Sequence, residues 1–275
     1  MMNKILTIIL YVLMSFSVLS GEVSVPQHLQ DISVTIKAEG SSGSGVIFTR
    51  KDKNGNFISF VWTAAHVIDS LRYQREIIDS GGNKKVVVEF KDAQILKLLI
   101  EEGRIIGRLS IDAAIIKYSD SNFGHDVGIL KVRKKNFTTN TVEFYLKDDI
   151  LSVGIRLYHC ASLLGEYGQS LTDGILSQNG RLVNGKEYTQ STLVALSGSS
   201  GGGVYLQDNG LCVGFILRGA SDVMNLYCPI NRIKKWAIKN NVLWTLNPSI
   251  EMPSEEELQE MPIEDKIIKE KNNKN

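Results

Sequence analysis

Ala195-Leu196-Ser197-Gly198-Ser199-Ser200-Gly201-Gly202-Gly203 is the stretch on which the reading of the chain turns. It is built from small residues, with the Ser200 hydroxyl set among glycines. A serine hydroxyl is a weak nucleophile unless a base takes its proton and donors hold the oxyanion it creates. Glycines on both sides let the backbone turn tightly and aim its N–H groups inward. By composition alone the run would equally serve as a flexible linker.

Two upstream stretches change that. Phe57 to Trp62 is apolar and strand-like, and it ends in Thr63-Ala64-Ala65-His66-Val67. His125-Asp126-Val127-Gly128-Ile129-Leu130 sets a carboxylate at the head of another apolar run. An ionised Asp is costly to bury without a partner. A histidine held by a carboxylate through one ring nitrogen and facing a serine with the other is a template for acyl transfer.

TAAHV, DVGIL and GSSGG, in that order, resemble the trypsin-like (chymotrypsin-fold) serine proteases, over roughly residues 33–240. The resemblance implies an all-β fold of two antiparallel six-stranded Greek-key β-barrels with a closing C-terminal helix. It implies His66, Asp126 and Ser200 as the triad and the Gly198 and Ser200 amides as the oxyanion hole. The specificity pocket would be lined near Val194, Ala195, Leu217, Gly219 and Asn225. Val194 stands where trypsin has its acidic residue, so a small or apolar residue before the scissile bond is expected rather than Arg or Lys. No metal or organic cofactor is required, and the partner is a protein or peptide substrate.

Ser199 stands where digestive members carry the Asp that pairs with a newly made N-terminus, so that zymogen switch is not expected. This resembles the bacterial Deg-like branch, and with so few residues after the protease unit the peptide-binding PDZ domain that many of that branch carry is not expected here. An inactive protease-like binding module, or an esterase on the same fold, are the alternatives that share these residue types.

Chain order excludes rivals. An α/β-hydrolase needs its histidine after the serine, whereas His28, His66, His125 and His159 all precede Ser200. A subtilisin-like order would need βαβ alternation that is absent, and no lysine follows the glycines as a phosphate loop requires.

The chain has 275 residues, 43% hydrophobic, with a formal charge of +1. That permits real cores and gives no nucleic-acid footprint. Lys4 followed by the apolar run Ile5 to Leu19 and the small Ser20 and Gly21 reads as a signal peptide over residues 1–20. The run falls short of the roughly 20 residues a membrane span needs, so membrane contact would come only through an uncleaved signal segment. Export to a secreted or periplasmic location follows, and an oxidising compartment with it. Cys160, Cys212 and Cys228 are an odd set; a Cys212–Cys228 bridge across a hairpin and three buried thiols are both open.

The expected division is a first barrel over 26–140, a second over 141–245 with a helix at 231–240, and a disordered charged tail over 246–275, with a short amphipathic helix at Glu256 to Ile268 as its alternative. Strands are expected at Ser33 to Lys37, Val46 to Phe48, Phe57 to Thr63, Val86 to Phe90 and Arg104 to Lys117. Further strands are expected within Ile150 to Ser162, at Leu171 to Ser177, Val204-Tyr205, Leu211 to Leu217 and Asn225 to Pro229. Asp92 to Arg104 fits neither period cleanly and reads as a strand pair or short helix, Gly40 to Gly45 reads as a loose turn, and Gly180 to Lys186 as another.

Overall fold

The computed structural model describes residues 23–101, 104–165, 168–221 and 224–265, so the expected signal peptide lies outside the described residues. Fourteen strands are described. β1 (Ser33–Ala38), β2 (Ser41–Lys51), β3 (Phe57–Thr63), β6 (Ala93–Glu101), β7 (Arg104–Ser119) and β8 (Val127–Val132) close one barrel. β9 (Arg156–Ala161), β10 (Ser170–Val183), β11 (Lys186–Ser191), β12 (Gly203–Leu206), β13 (Cys212–Ser221) and β14 (Met224–Pro229) close the second. Counted within each barrel, the cyclic order is the same, 1-2-3-6-5-4, with every pairing antiparallel. This is the expected pair of Greek-key barrels. Closure leaves neither sheet a free edge. β4 (Arg72–Ile78) and β5 (Lys84–Phe90) form a separate two-stranded hairpin, so the Val86 to Phe90 strand lies outside the barrel.

The first barrel follows from its sequence. Val34, Ile36, Val46, Ile47, Phe48, Phe60, Val61 and Trp62 are fully buried, as β-branched and aromatic side chains on a closed sheet should be. The stretch expected as a loose turn, Gly40 to Gly45, is instead the start of β2. Its small residues are there for close approach: a Cβ on Gly43 would run into both the Val67 side chain and the Ser200 carbonyl. In the second barrel β10 continues six residues past Ser177. The reversal is the Asn184-Gly185 pair, both at positive φ, as a two-residue hairpin turn demands.

Helix α1 (Val25–Asp31) was not apparent from periodicity. Ser24 caps it by accepting from the Gln27 amide, and Leu29 is its buried residue. α2 (Ala65–Ile68) is one turn at the end of β3 and carries His66. α3 (Ile230–Lys239) is the closing helix, within one residue of its expected bounds. It buries Ile230, Ile233, Trp236 and Ala237, a 3–4 spacing that makes one apolar stripe. Trp236 meets Trp62 of β3 edge-on at 5.8 Å, and Trp62 stacks on Phe215 of β13 at 5.7 Å. These rings join the first barrel, the second and the helix directly behind the turn that holds His66. Each such ring pair is worth about 1 kcal/mol beyond its buried area.

The expectation of a disordered tail is overturned for its first part. α4 (Glu255–Glu260) is fixed by a capping box in which Ser254 and Glu257 satisfy each other's backbone amides. Leu258 and Asp265 are buried, and Glu264 bridges to Tyr118 of β7. The acids that read as tail composition are capping and pairing groups, and Leu258 supplies the apolar anchor. Residues 266–275 lie outside the described residues.

Candidate active site

His66 sits at the first turn after β3, half-buried. Asp126 heads β8 with a side chain 2% exposed. Because β3 and β8 are neighbours, Trp62 opposite Ile129 and Thr63 opposite Gly128, the two loop residues beyond those pairs meet. Both carboxylate oxygens of Asp126 lie 3.0 Å from His66 Nδ1, and Oδ1 also accepts from the His66 backbone amide at 3.1 Å. A carboxylate acceptor on Nδ1 puts the ring proton there and leaves Nε2 as the free base. Burial of the ring works against its protonation, but the Asp126 hydrogen bond and charge, with Asp69 behind them, outweigh it. The His66 pKa is therefore raised above its ordinary 6.5, with Arg218 pulling the other way.

Asp126 itself has φ +60, in the left-handed region. Its amide donates to the Asp120 carbonyl at 3.3 Å, and the preceding carbonyl, of His125, accepts from Arg232 of α3 at 2.8 Å.

The Ser200 loop is sewn to both barrels. The Ser44 amide of β2 donates to the Ser200 carbonyl at 2.8 Å, and Ser44 Oγ donates to the Gly198 carbonyl at 2.7 Å. The same Oγ accepts from the Ser162 amide at 2.8 Å. On the second-barrel side the Gly201 amide donates to Ile216 O and the Ile216 amide to Gly202 O. Gly198 and Gly201 have φ of +90 and +85, and a Cβ on either would strike backbone of a neighbouring strand or loop. That is the physical reason for glycine on each side of Ser199-Ser200. Ser199 is buried, its Oγ accepting from the Leu196 amide at 2.9 Å. It closes a local turn.

The Ser200 carbonyl and the Val67 side chain press on the same point of β2, so the loop lies beside the helical turn of His66. The Ser200 hydroxyl makes no hydrogen bond to the His66 ring in this conformation. Among the described residues, neither the Gly198 nor the Ser200 amide donates to another protein group.

The five expected pocket residues are placed as follows. Gly219 of β13 faces Asn225 of β14 in register, and Asn225 also pairs with Ser191 of β11. Asn225 is fully buried, its Nδ2 donating to Leu193 O at 2.8 Å and its Oδ1 without a partner. Leu217 is buried and Ala195 packs at the edge of the second core. Val194 is 39% exposed, so Asn225 is the buried polar group of the set.

Sequence reasoning missed Ser44 and Arg218. Ser44 lies in the GSSGSG run, whose smallness was the available signal. Arg218, whose Nε donates to Tyr188 Oη at 3.2 Å, follows Leu217 and carries no local signature. Cys160, Cys212 and Cys228 are free and buried, so the bridge is not formed. Cys212 pairs in register with Tyr205 while Cys228 faces Phe215, three residues along β13. Among the described residues no group of three or more His, Cys, Asp or Glu is clustered to hold a metal ion.

Two closed barrels with a histidine–carboxylate pair on one and a glycine-lined serine loop on the other define the trypsin-like serine protease class. The sequence pattern of the trypsin-like peptidase domain matches residues 43–215, and the chain belongs to that family. Among solved structures it is similar to the crystal structure of Deg5, at 22% identity and a TM-score of 0.55, covering 81% of this chain and 94% of that one. It is also similar to an inactive serine-to-alanine mutant of Rv3671c from M. tuberculosis, at 15% identity, TM-score 0.54, and 81% and 93% coverage. A serine endoprotease from Yersinia pestis matches at 15% identity, TM-score 0.54, over 80% of this chain and 67% of that one. No curated protein matches the sequence.

Proposed function

We propose that this protein is a serine endopeptidase acting through Ser200, His66 and Asp126. The observation that carries the reading is the Asp126 carboxylate holding both Nδ1 and the backbone amide of His66. Asp126 fixes the tautomer that leaves Nε2 free. His66 Nε2 takes the Ser200 proton as Oγ bonds to the substrate carbonyl carbon, and the carbonyl oxygen becomes an oxyanion. The unengaged amides of Gly198 and Ser200 receive that charge; one such donor is typically worth about 3–4 kcal/mol of barrier. The imidazolium then gives its proton to the leaving amine, and water repeats the sequence to release the acid. Peptide and protein substrates fit the family. The apolar stretch at residues 5–19 supports an exported enzyme.

The second reading, a protease-like binding module without turnover, is favoured by one feature: the resting Ser200 hydroxyl is not bonded to His66. Labelling with a fluorophosphonate, alongside casein hydrolysis, decides between them. Wild type should be labelled and active, and Ser200→Ala should lose both, by about 10⁴-fold or more in rate. Unlabelled wild type, or Ser200→Ala with normal hydrolysis, would overturn the assignment.

A further inference from the structure

After α4 the chain turns back into the protein. Residues 262–265 run parallel beside the end of β7: the Tyr118 amide donates to Ile263 O at 2.8 Å, and the Asp265 amide to Tyr118 O at 3.1 Å. Arg72 Nε donates to Glu264 Oε1 at 2.6 Å and Lys117 Nζ to Pro262 O at 2.7 Å. This places the Asp265 side chain, 1% exposed, inside the molecule. Its Oδ2 accepts from Ser119 Oγ at 2.5 Å and from Trp236 Nε1 of α3 at 3.2 Å.

A buried carboxylate is costly, and an apolar side chain would pin this segment with less penalty. What the carboxylate adds is direction. It can only accept, so the Ser119 hydroxyl must point its hydrogen at Asp265 and present a lone pair elsewhere. That lone pair accepts the His125 amide at 2.7 Å. His125 is the residue before Asp126, whose φ of +60 costs roughly 1–3 kcal/mol and persists only if its surroundings over-determine it. His125 is thus held at both ends: its N–H by Ser119, backed by Asp265, and its carbonyl by Arg232. Arg232 and Trp236 are one turn apart on α3, so the closing helix and the C-terminal segment grip the same strained corner.

We propose that Asp265 is a positioning residue for Asp126, acting through Ser119 and the His125 amide to hold the carboxylate against His66. The inference rests on Asp126 being the triad carboxylate.

The test uses the full chain with Asp265→Ala, Asp265→Asn and Ser119→Ala. Two quantities are read: kcat and KM on a peptide substrate, per fluorophosphonate-titrated site, and the low-field proton resonance of His66 Nδ1–H by NMR. Asp265→Ala should lower kcat on the order of tenfold with KM unchanged, since misplacing a catalytic group by about 1 Å can cost up to 10²-fold. It should also shift or broaden the His66 resonance. Asn keeps an oxygen acceptor for Ser119 and Trp236, so Asp265→Asn should stay within about threefold of wild type, the scale of one modest hydrogen-bond change. Ser119→Ala should reproduce the alanine effect, and it stands in if Asp265→Ala does not fold.

Wild-type kcat with an unmoved resonance in Asp265→Ala, or in Ser119→Ala if the former is unfolded, would overturn the proposal. So would an Asp265→Asn loss as large as that of Asp265→Ala, which would make the charge rather than the acceptor decisive. If wild type is neither labelled nor active, the Ser200 reading fails instead, and the resonance alone still decides whether Asp265 positions Asp126.

Discussion

His159 of β9 gives the protein a built-in sensitivity to acid. It is fully buried beneath the end of the serine loop, where a Cβ on Gly202 would touch its ring. Its Nδ1 lies 2.9 Å from the Gly203 carbonyl. A carbonyl can only accept, so Nδ1 carries the proton, and Nε2 is left without a partner. Protonating Nε2 would bury a charged donor with nothing to receive it. Burial accordingly pushes the His159 pKa down from 6.5 to about 4. Below pH 6.5 the unfolded chain binds a proton that the folded chain refuses until about pH 4. The contribution is fully present above 6.5 and is lost as pH falls through that window. A difference of about 2.5 pH units corresponds to about 3 kcal/mol, a large share of a domain's stability. His159→Gln is neutral throughout, so it lacks this term, while every other titrating group, His125 included, is common to both proteins. Urea unfolding followed by tryptophan fluorescence at pH 7 and pH 4 should show wild type losing about 3 kcal/mol more than His159→Gln. Because His159 supports Gly202 and Gly203, activity at pH 4.5 should fall in wild type beyond what His66 titration explains. Parallel loss of stability in the two proteins would refute the reasoning.

Other outcomes follow from the same geometry. In the proposed mechanism His66 must be neutral to act as base, so kcat/KM should decline on the acid side with a midpoint above 6.5, and Arg218→Ala should move that limb to higher pH by removing a charge that opposes protonation. A limb that stays put or moves to lower pH contradicts the placement of Arg218. Ser44→Ala removes the donor to Gly198 O and the acceptor for the Ser162 amide. Its kcat should drop about 10–100-fold with stability lowered by about 1–3 kcal/mol, read by kinetics and thermal melting; wild-type kcat would mean the loop is held otherwise. Burial pushes the thiols of Cys160 and Cys212 up to about 12 and that of Cys228 to about 11. Native protein at pH 8 should therefore resist iodoacetamide while urea-unfolded protein takes up three equivalents, counted by mass; fewer than three would reveal a bridge.

Which parts of this were legible in advance has a physical pattern. The strands of the barrels could be read because burial in a closed sheet selects short runs rich in β-branched and aromatic residues, as in Phe57 to Thr63. The closing helix was legible through Ile233, Trp236 and Ala237 on one face. Composition misled where small or charged residues served a distant surface. The GSSGSG run looked like a turn, yet Gly43 and Ser44 are small and polar because the Ser200 loop lands on them. The acidic run after Asn247 looked like tail, yet Ser254 and Glu257 cap a helix and Asp265 is sealed within the protein.

The order and local setting of His66, Asp126 and Ser200 belong to the sequence alone, since each depends only on the residues flanking it. Their meeting does not. It depends on β3 lying beside β8, on β2 carrying Ser44 to the serine loop, and on α3 and the C-terminal segment bracing His125. Those contacts join residues from 60 to more than 150 positions apart, and no local pattern encodes them. Strand pairing inside the first barrel brings His66 and Asp126 within hydrogen-bond reach, and packing of the second barrel against β2 lays the Ser200 loop beside them.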